Sequence, residues 1–240
     1  MNRIRAVARR ELRAYFNSPI AYVFLLAFVG AALFTFFNLK AFFARGQADL
    51  RPLFEAIPLL TLLLIPALTM RLWAEEAKSG TLELLLTFPA KDIELVCGKF
   101  LASWALLAVA LFLTVPLAMT VAFLGDLDWG PVIGGYVGAL LLGAAYLAIG
   151  QFVSALTENQ ILAFILAFVV CLVLYGAGTE LIVGFFSDRT ASILRALGTG
   201  SRFESIARGV IDLRDFLYYV SLTAFFIFLS VSALRVKRWA

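Results

Sequence analysis

The sequence predicts an all-α, polytopic membrane protein, and three observations carry that prediction. Five charge-free stretches of 19 to 29 residues, and a sixth broken by one or two charges, run through the 240 residues. Hydrophobic residues make up 62% of the chain, with 23 phenylalanines, and the mean hydropathy is +0.95. A soluble core has no use for so much apolar surface, whereas a hydrocarbon layer demands it. Thirdly, Lys and Arg gather at the ends of the apolar stretches, where they set orientation. A formal charge of +4 therefore reads as membrane topology and not as nucleic-acid binding.

The same composition narrows the chemistry. Histidine is absent, which removes the commonest general base and metal ligand. Cys97 and Cys171 sit at a helix entrance and inside an apolar stretch, so neither a disulfide framework nor a metal site is expected. No G-x-x-x-x-G-K-[ST] phosphate loop exists, and the Gly98-Lys99 pair lacks the rest of that motif. The chain is thus expected not to be an enzyme and to hold no cofactor of its own.

Taken in order, residues 1–17 form an amphipathic helix. Ile4, Val7, Ala8, Leu12 and Tyr15 share one face, while Arg3, Arg9, Arg10 and Arg13 cover the other, the pattern of a helix lying in the membrane interface. A plain basic anchor explains the arginines equally well, but not Glu11. That residue falls within the apolar face and needs a partner, either an arginine or the polar stretch at 75–78. A helix rises 1.5 Å per residue, so about 20 apolar residues cross ~30 Å of hydrocarbon. The first crossing is 19–39, read as a retained signal anchor because no convincing cleavage site follows it. The second is 53–72, with Glu55 and Arg71 near its ends and kinks expected at Pro58 and Pro66.

Residues 75–89, EEAKSGTLELLLTFP, interrupt the apolar pattern with a short leucine-rich helix between charged flanks. Gly80 and Thr81 end one helix and start the next, Glu83 suits the positive N-terminal end, and Pro89 stops it. Leu82, Leu85 and Leu86 form one face, with Leu84 and Phe88 on another, so something must cover them. Two covers remain open: the protein's own bilayer, or a groove in a cytoplasmic partner.

The third and fourth crossings are 100–124 and a stretch within 129–157. Gly130, Gly134 and Gly138 repeat at four-residue spacing in the fourth, with Gly135, Ala139 and Gly143 on an adjacent stripe, the small-residue pattern of close helix packing. Within one bundle is the usual setting, and a dimer contact the weaker alternative. A tight hairpin at Glu158 leads into the fifth crossing, 159–179. The outer loop, 180–215, carries signals for two short helices: Ser187 and Asp188 opening one that ends at Gly198, and a Ser201/Glu204 capping box opening another. These helices either lie on the outer leaflet or form a lid over the bundle, the lid being preferred. The sixth crossing is 216–234. With both termini inside, 12 of the 20 basic residues fall on the cytoplasmic side. Glu55, Gln151, Asn38, Thr61 and Ser154 are the polar residues within crossings; only Glu55 is ionisable, so no proton relay is expected.

The wording and place of Glu75, Glu76, Gly80, Thr81, Leu82, Glu83, Leu84, Leu85, Leu86, Thr87 and Pro89 resemble the cytoplasmic coupling segment of ABC-2 type transporter permeases. Asn17, Ser18, Pro19 and Ile20 before the first crossing, and Phe203, Ile206, Arg208, Gly209 and Val210 before the sixth, resemble the compact branch, which includes permeases of gliding motility and nitrous-oxide-reductase maturation. The resemblance covers nearly the whole chain as one transmembrane domain, 1–240. It implies a permease subunit of an exporter in the cell inner membrane, paired with a second permease copy or a related permease. ATP and Mg²⁺ would then bind a separate cytoplasmic ABC ATPase, with the short helix transmitting its motion. A different function class is a non-transporting membrane scaffold that docks an ATPase, which an auxiliary partner with a large extracytoplasmic domain would accompany.

Overall fold

The computed structural model of the protein describes residues 2–40, 42–87, 90–209 and 212–239. All regular structure among them is helical. The first half runs α1 (Asn2–Asn17), α2 (Pro19–Phe34, extended by a π-turn at Thr35–Leu39), α3 (Phe42–Arg45), α4 (Arg51–Thr69), α5 (Ala74–Lys78) and α6 (Thr81–Thr87). The second half runs α7 (Asp92–Phe112), α8 (Val115–Leu124), α9 (Trp129–Leu156), α10 (Gln160–Gly176), α11 (Glu180–Val183), α12 (Asp188–Leu197), α13 (Thr199–Ala207) and α14 (Leu213–Trp239).

Five helical stretches are long and apolar enough to cross a membrane: Pro19–Ala44, Arg51–Lys78, Asp92–Leu124, Trp129–Leu156 and Leu213–Arg238. The fifth apolar stretch in the sequence is shorter, the 17 residues of α10. Their outward faces are largely apolar, with Val23, Leu26, Phe123, Ile161, Val173 and Phe228 among the exposed side chains. A surface of that kind is stable only against lipid. The chain is a multi-pass membrane protein.

Local chemistry explains where the helices start and stop. Asp128 accepts the Gly130 N–H at 3.0 Å to open α9, and Asn159 accepts those of Ile161 and Leu162 at 3.0 and 3.4 Å to open α10. α4 runs on through both Pro58 and Pro66, and Thr61 and Thr69, each three residues after a proline, turn their hydroxyls back to carbonyls of the preceding turn. The third apolar stretch differs from the single helix expected over 100–124. It begins eight residues earlier, at Asp92, and breaks at Leu113–Thr114 because Pro116 has no N–H to continue the ladder. Thr114 stitches the break, donating to the Leu111 carbonyl at 2.7 Å and pairing with the Tyr136 hydroxyl at 2.9 Å.

α9 is the central helix and packs on α4, α7, α10, α13 and α14. Its small residues make this possible. A side chain at Gly135 would strike the Phe54 ring, at Gly143 it would strike Leu107, and at Gly150 it would strike Thr69. The stripe of Gly130, Gly134 and Gly138 serves a different neighbour, since Gly134 abuts the Ile206 carbonyl and Gly138 abuts Phe203 and Ile206 on α13, while Gly209 packs on the Gly130 backbone. The glycine stripe is therefore consumed within the chain.

α13 is held deep in the bundle. Tyr146 and Tyr219, both fully buried, bond the hydroxyl and carbonyl of Thr199 at 3.0 and 2.6 Å, and Tyr218 donates to the Leu197 carbonyl. The Ser201/Glu204 capping box expected to open this helix does not form. The helix starts three residues earlier, with Gly198 at its N-cap, and the Ser201 hydroxyl turns back to the Arg195 and Gly198 carbonyls at 3.2 and 3.3 Å. α12 begins after Ser187 and ends at Gly198, as its sequence signals indicate.

Because Gly134 meets backbone atoms that cannot yield, Gly134→Ala is expected to unseat α13 and cost about 1–3 kcal/mol. Gly30, with nothing within 4 Å of its would-be Cβ, is the control: Gly30→Ala should be neutral or stabilising by up to ~1 kcal/mol. Thermal unfolding of the two purified variants in one detergent checks both.

Candidate functional site

The predicted coupling residues and those of α1 converge on one end of the bundle, where the first and last helices also meet. Arg3 on α1 approaches Glu94 to 3.9 Å, and Arg238 and Arg235 on α14 approach Asp92 to 2.9 and 3.9 Å, so the first and last helices meet the start of α7. The Arg238–Asp92 approach is an ion pair without directed hydrogen-bond geometry.

α1 packs on the bundle. It runs alongside the first half of α7 in the same direction, with Val7 over Gly98 and Tyr15 bonded to Ser103 at 2.9 Å. Its apolar face is covered in part by α7, which Gly98 allows to come close, with Tyr15 buried and Ile4, Val7, Ala8 and Leu12 half-buried. Arg5, Arg9, Arg10 and Arg13 point away from the bundle, and Arg10 pairs with Glu11 at 2.8 Å. Burial pushes the Tyr15 phenol up to about 12, so it stays protonated and keeps its bond to Ser103.

At the centre stands Lys99, whose side chain is only 3% exposed. Its ammonium donates to the Leu72 carbonyl at 2.8 Å and to Glu76 Oε1 at 2.7 Å, lies 3.8 Å from Glu11 Oε2, and sits 4.7 Å from the centre of the Trp73 ring. One buried cation thus joins α1, α5 and α7. Glu11, Arg71, Glu75, Glu76 and Lys99 line a common recess of about 200 Å³. Ser154 on α9 secures the turn that leads into α5, donating to the Met70 carbonyl at 2.9 Å and accepting the Trp73 and Ala74 N–H groups at 3.1 and 3.2 Å. Gln151, one turn back, donates to the Val96 carbonyl at 3.0 Å. The two polar residues that stood out within the fourth crossing are the pins of this layer.

Beyond α5 the chain reverses at Gly80, whose φ of +71° is the left-handed conformation that ends helices. Ser79 and Thr81 bond each other at 2.8 Å, and both return to the Glu76 carbonyl. α6 then makes two turns. Leu82 and Leu85 are 7% and 9% exposed and belong to the protein's own core, while Glu75, Lys78, Ser79, Thr81 and Glu83 face outward. Pro89, with Phe88, lies outside the described residues, as does the side chain of Leu86. Gly130, Gly134 and Gly138 lie far from this layer, in the seat of α13.

Sequence reasoning missed Lys99. A single lysine beside an apolar stretch reads as an interface anchor, and the only signal against that reading was its place next to Gly98, where a second helix packs over it. Among the described residues no cluster of acids, cysteines or histidines suits a metal ion.

A polar-pinned layer thus closes one end of the apolar bundle, with a charged reversal projecting from it. The family model of the ABC-2 family transporter proteins matches residues 8–238, and the chain belongs to that family. A comparison with curated proteins finds no match.

Removing the buried cation leaves Glu76 uncompensated and Glu11 with Arg10 alone. Lys99→Met is expected to destabilise the protein by about 3–5 kcal/mol, and the double variant Lys99→Met/Glu76→Leu to recover part of the loss. Fluorescence-detected gel filtration after a temperature series reads both.

Proposed function

We propose that the chain is the membrane-spanning permease subunit of an ABC exporter, working as two copies with a separate cytoplasmic ATPase that binds ATP and Mg²⁺. The observation that carries the proposal is the reversal over α5 and α6. It is clamped to the bundle at Leu72–Glu76, yet it presents Glu75, Lys78, Ser79, Thr81 and Glu83 to solvent. A part fixed at its base and polar at its tip transmits force from a partner docked on that tip. Family membership supports this reading.

The start of α1 and the end of α14 both lie beside the start of α7, which supports an even number of crossings, with α10 as the sixth beside the five long stretches. At 1.5 Å per residue α10 spans about 25 Å, short of the ~30 Å hydrocarbon layer, and α11 to α13 fill the depth it leaves. The basic excess on the side of the termini favours a cytoplasmic placement, in the inner membrane.

Co-purification of the partner ATPase with tagged permease tests the tip. Thr81→Arg/Glu83→Arg should lower ATPase recovery at least severalfold with unchanged permease levels. Leu85→Asp should instead lower the level of folded permease, because it buries a charge in the protein's own core. Equal recovery of ATPase by wild type and the Thr81→Arg/Glu83→Arg variant contradicts the docking assignment.

A further inference from the structure

A cleft of about 470 Å³ opens at the opposite end of the bundle, between the first two turns of α4, the end of α10 and α13. Its volume is in the range of small-molecule sites. Pro58, Phe203 and the Tyr175 ring supply apolar walls, and charged groups of both signs share the lining. Lys40 neutralises Glu55 at 2.6 Å. The others are differently placed: among the described residues, neither the Arg51 guanidinium nor the Glu204 carboxylate has a hydrogen bond or ion pair, and Arg208 uses only Nε, on the Glu204 carbonyl at 3.2 Å. Two arginine forks and one carboxylate are left for a ligand.

We infer that this cleft binds a zwitterionic, phosphate-bearing headgroup of the ethanolamine type. The guanidinium groups of Arg51 and Arg208 match phosphate oxygens in pairs. Glu204 accepts from a primary ammonium, and the half-buried Tyr175 ring favours a cation beside it. A purely anionic headgroup would satisfy the arginines but set its charge against Glu204. The position supports a membrane lipid as a source, since Arg51 opens a crossing helix and the apolar walls lie one to two turns deeper. A soluble phosphoethanolamine ester has the same chemistry. The inference does not depend on transport, because binding is read without an ATPase.

The test uses the full chain in detergent, offered equal amounts of phosphatidylethanolamine and phosphatidylglycerol with matched acyl chains, and native mass spectrometry of what stays bound. Wild type should retain the ethanolamine lipid about tenfold over the glycerol lipid, the size of one charge-assisted hydrogen bond. Arg208→Gln should reduce retention of both, and the near-isosteric Glu204→Gln should abolish the preference while keeping the phosphate contacts. Matched melting temperatures establish that the variants are folded. Displacement by glycerophosphoethanolamine identifies the headgroup alone as sufficient; resistance to it, with both substitution effects intact, assigns the site to a bilayer lipid, and either result supports the inference. Equal retention of the two lipids by wild type, or a preference that survives Glu204→Gln, overturns it.

Discussion

A single buried cation organises the end of the molecule that matters for function. The Lys99 ammonium is almost sealed from water, and a charge in that position persists only where several partners surround it. A backbone carbonyl, two carboxylates and an indole face supply that surrounding, and they come from two separate stretches of chain, residues 72–76 and α1. Once Lys99 is in place, α1 must lie along α7 to bring Glu11, and α5 must fold back to bring Glu76. The reversal at Gly80 then has a fixed base. Ser154 and Gln151 extend the same logic to α9, so the central helix carries the segment as well as the core.

The opposite end is built on another principle. There the small residues of α9 remove side-chain volume so that α13 can enter the bundle, and three tyrosine hydroxyls satisfy the polar groups at its start. In lipid, apolar burial gives helices little reason to associate, and close backbone approach plus satisfied polar groups supply it instead. The two ends are thus held by different chemistry, ionic at one and steric at the other, with α9 common to both.

Most of the fold was legible because a bilayer imposes length and polarity on each crossing directly, without reference to tertiary contacts. What was not legible is which surface covers which. The amphipathic pattern of α1 correctly says that Ile4, Val7 and Tyr15 face the same neighbour, with Tyr15 buried, but a bilayer and a second helix accept the same face, and the helix packed there, at Gly98, lies some 90 residues away. The leucines of α6 posed the same ambiguity, resolved by the chain's own core for Leu82 and Leu85. Pro116 marked its break in plain sight, yet the unbroken hydropathy around it hid the interruption. For the candidate site, Glu11's need for a partner and the oddity of Gln151 and Ser154 could be read in advance. The role of Lys99 could not, because a buried lysine and an interfacial one look alike until neighbours are known.

Amide hydrogen exchange over residues 72–78 tests most directly the claim that the segment is clamped to the bundle and not a loose loop. The account predicts that amides of Trp73, Ala74 and Ala77 exchange at rates comparable with those of the first turns of α7, and that Lys99→Met accelerates them while leaving the core amides of α9 slow. Exchange of these amides in wild type at the rate of an unstructured peptide would contradict the account.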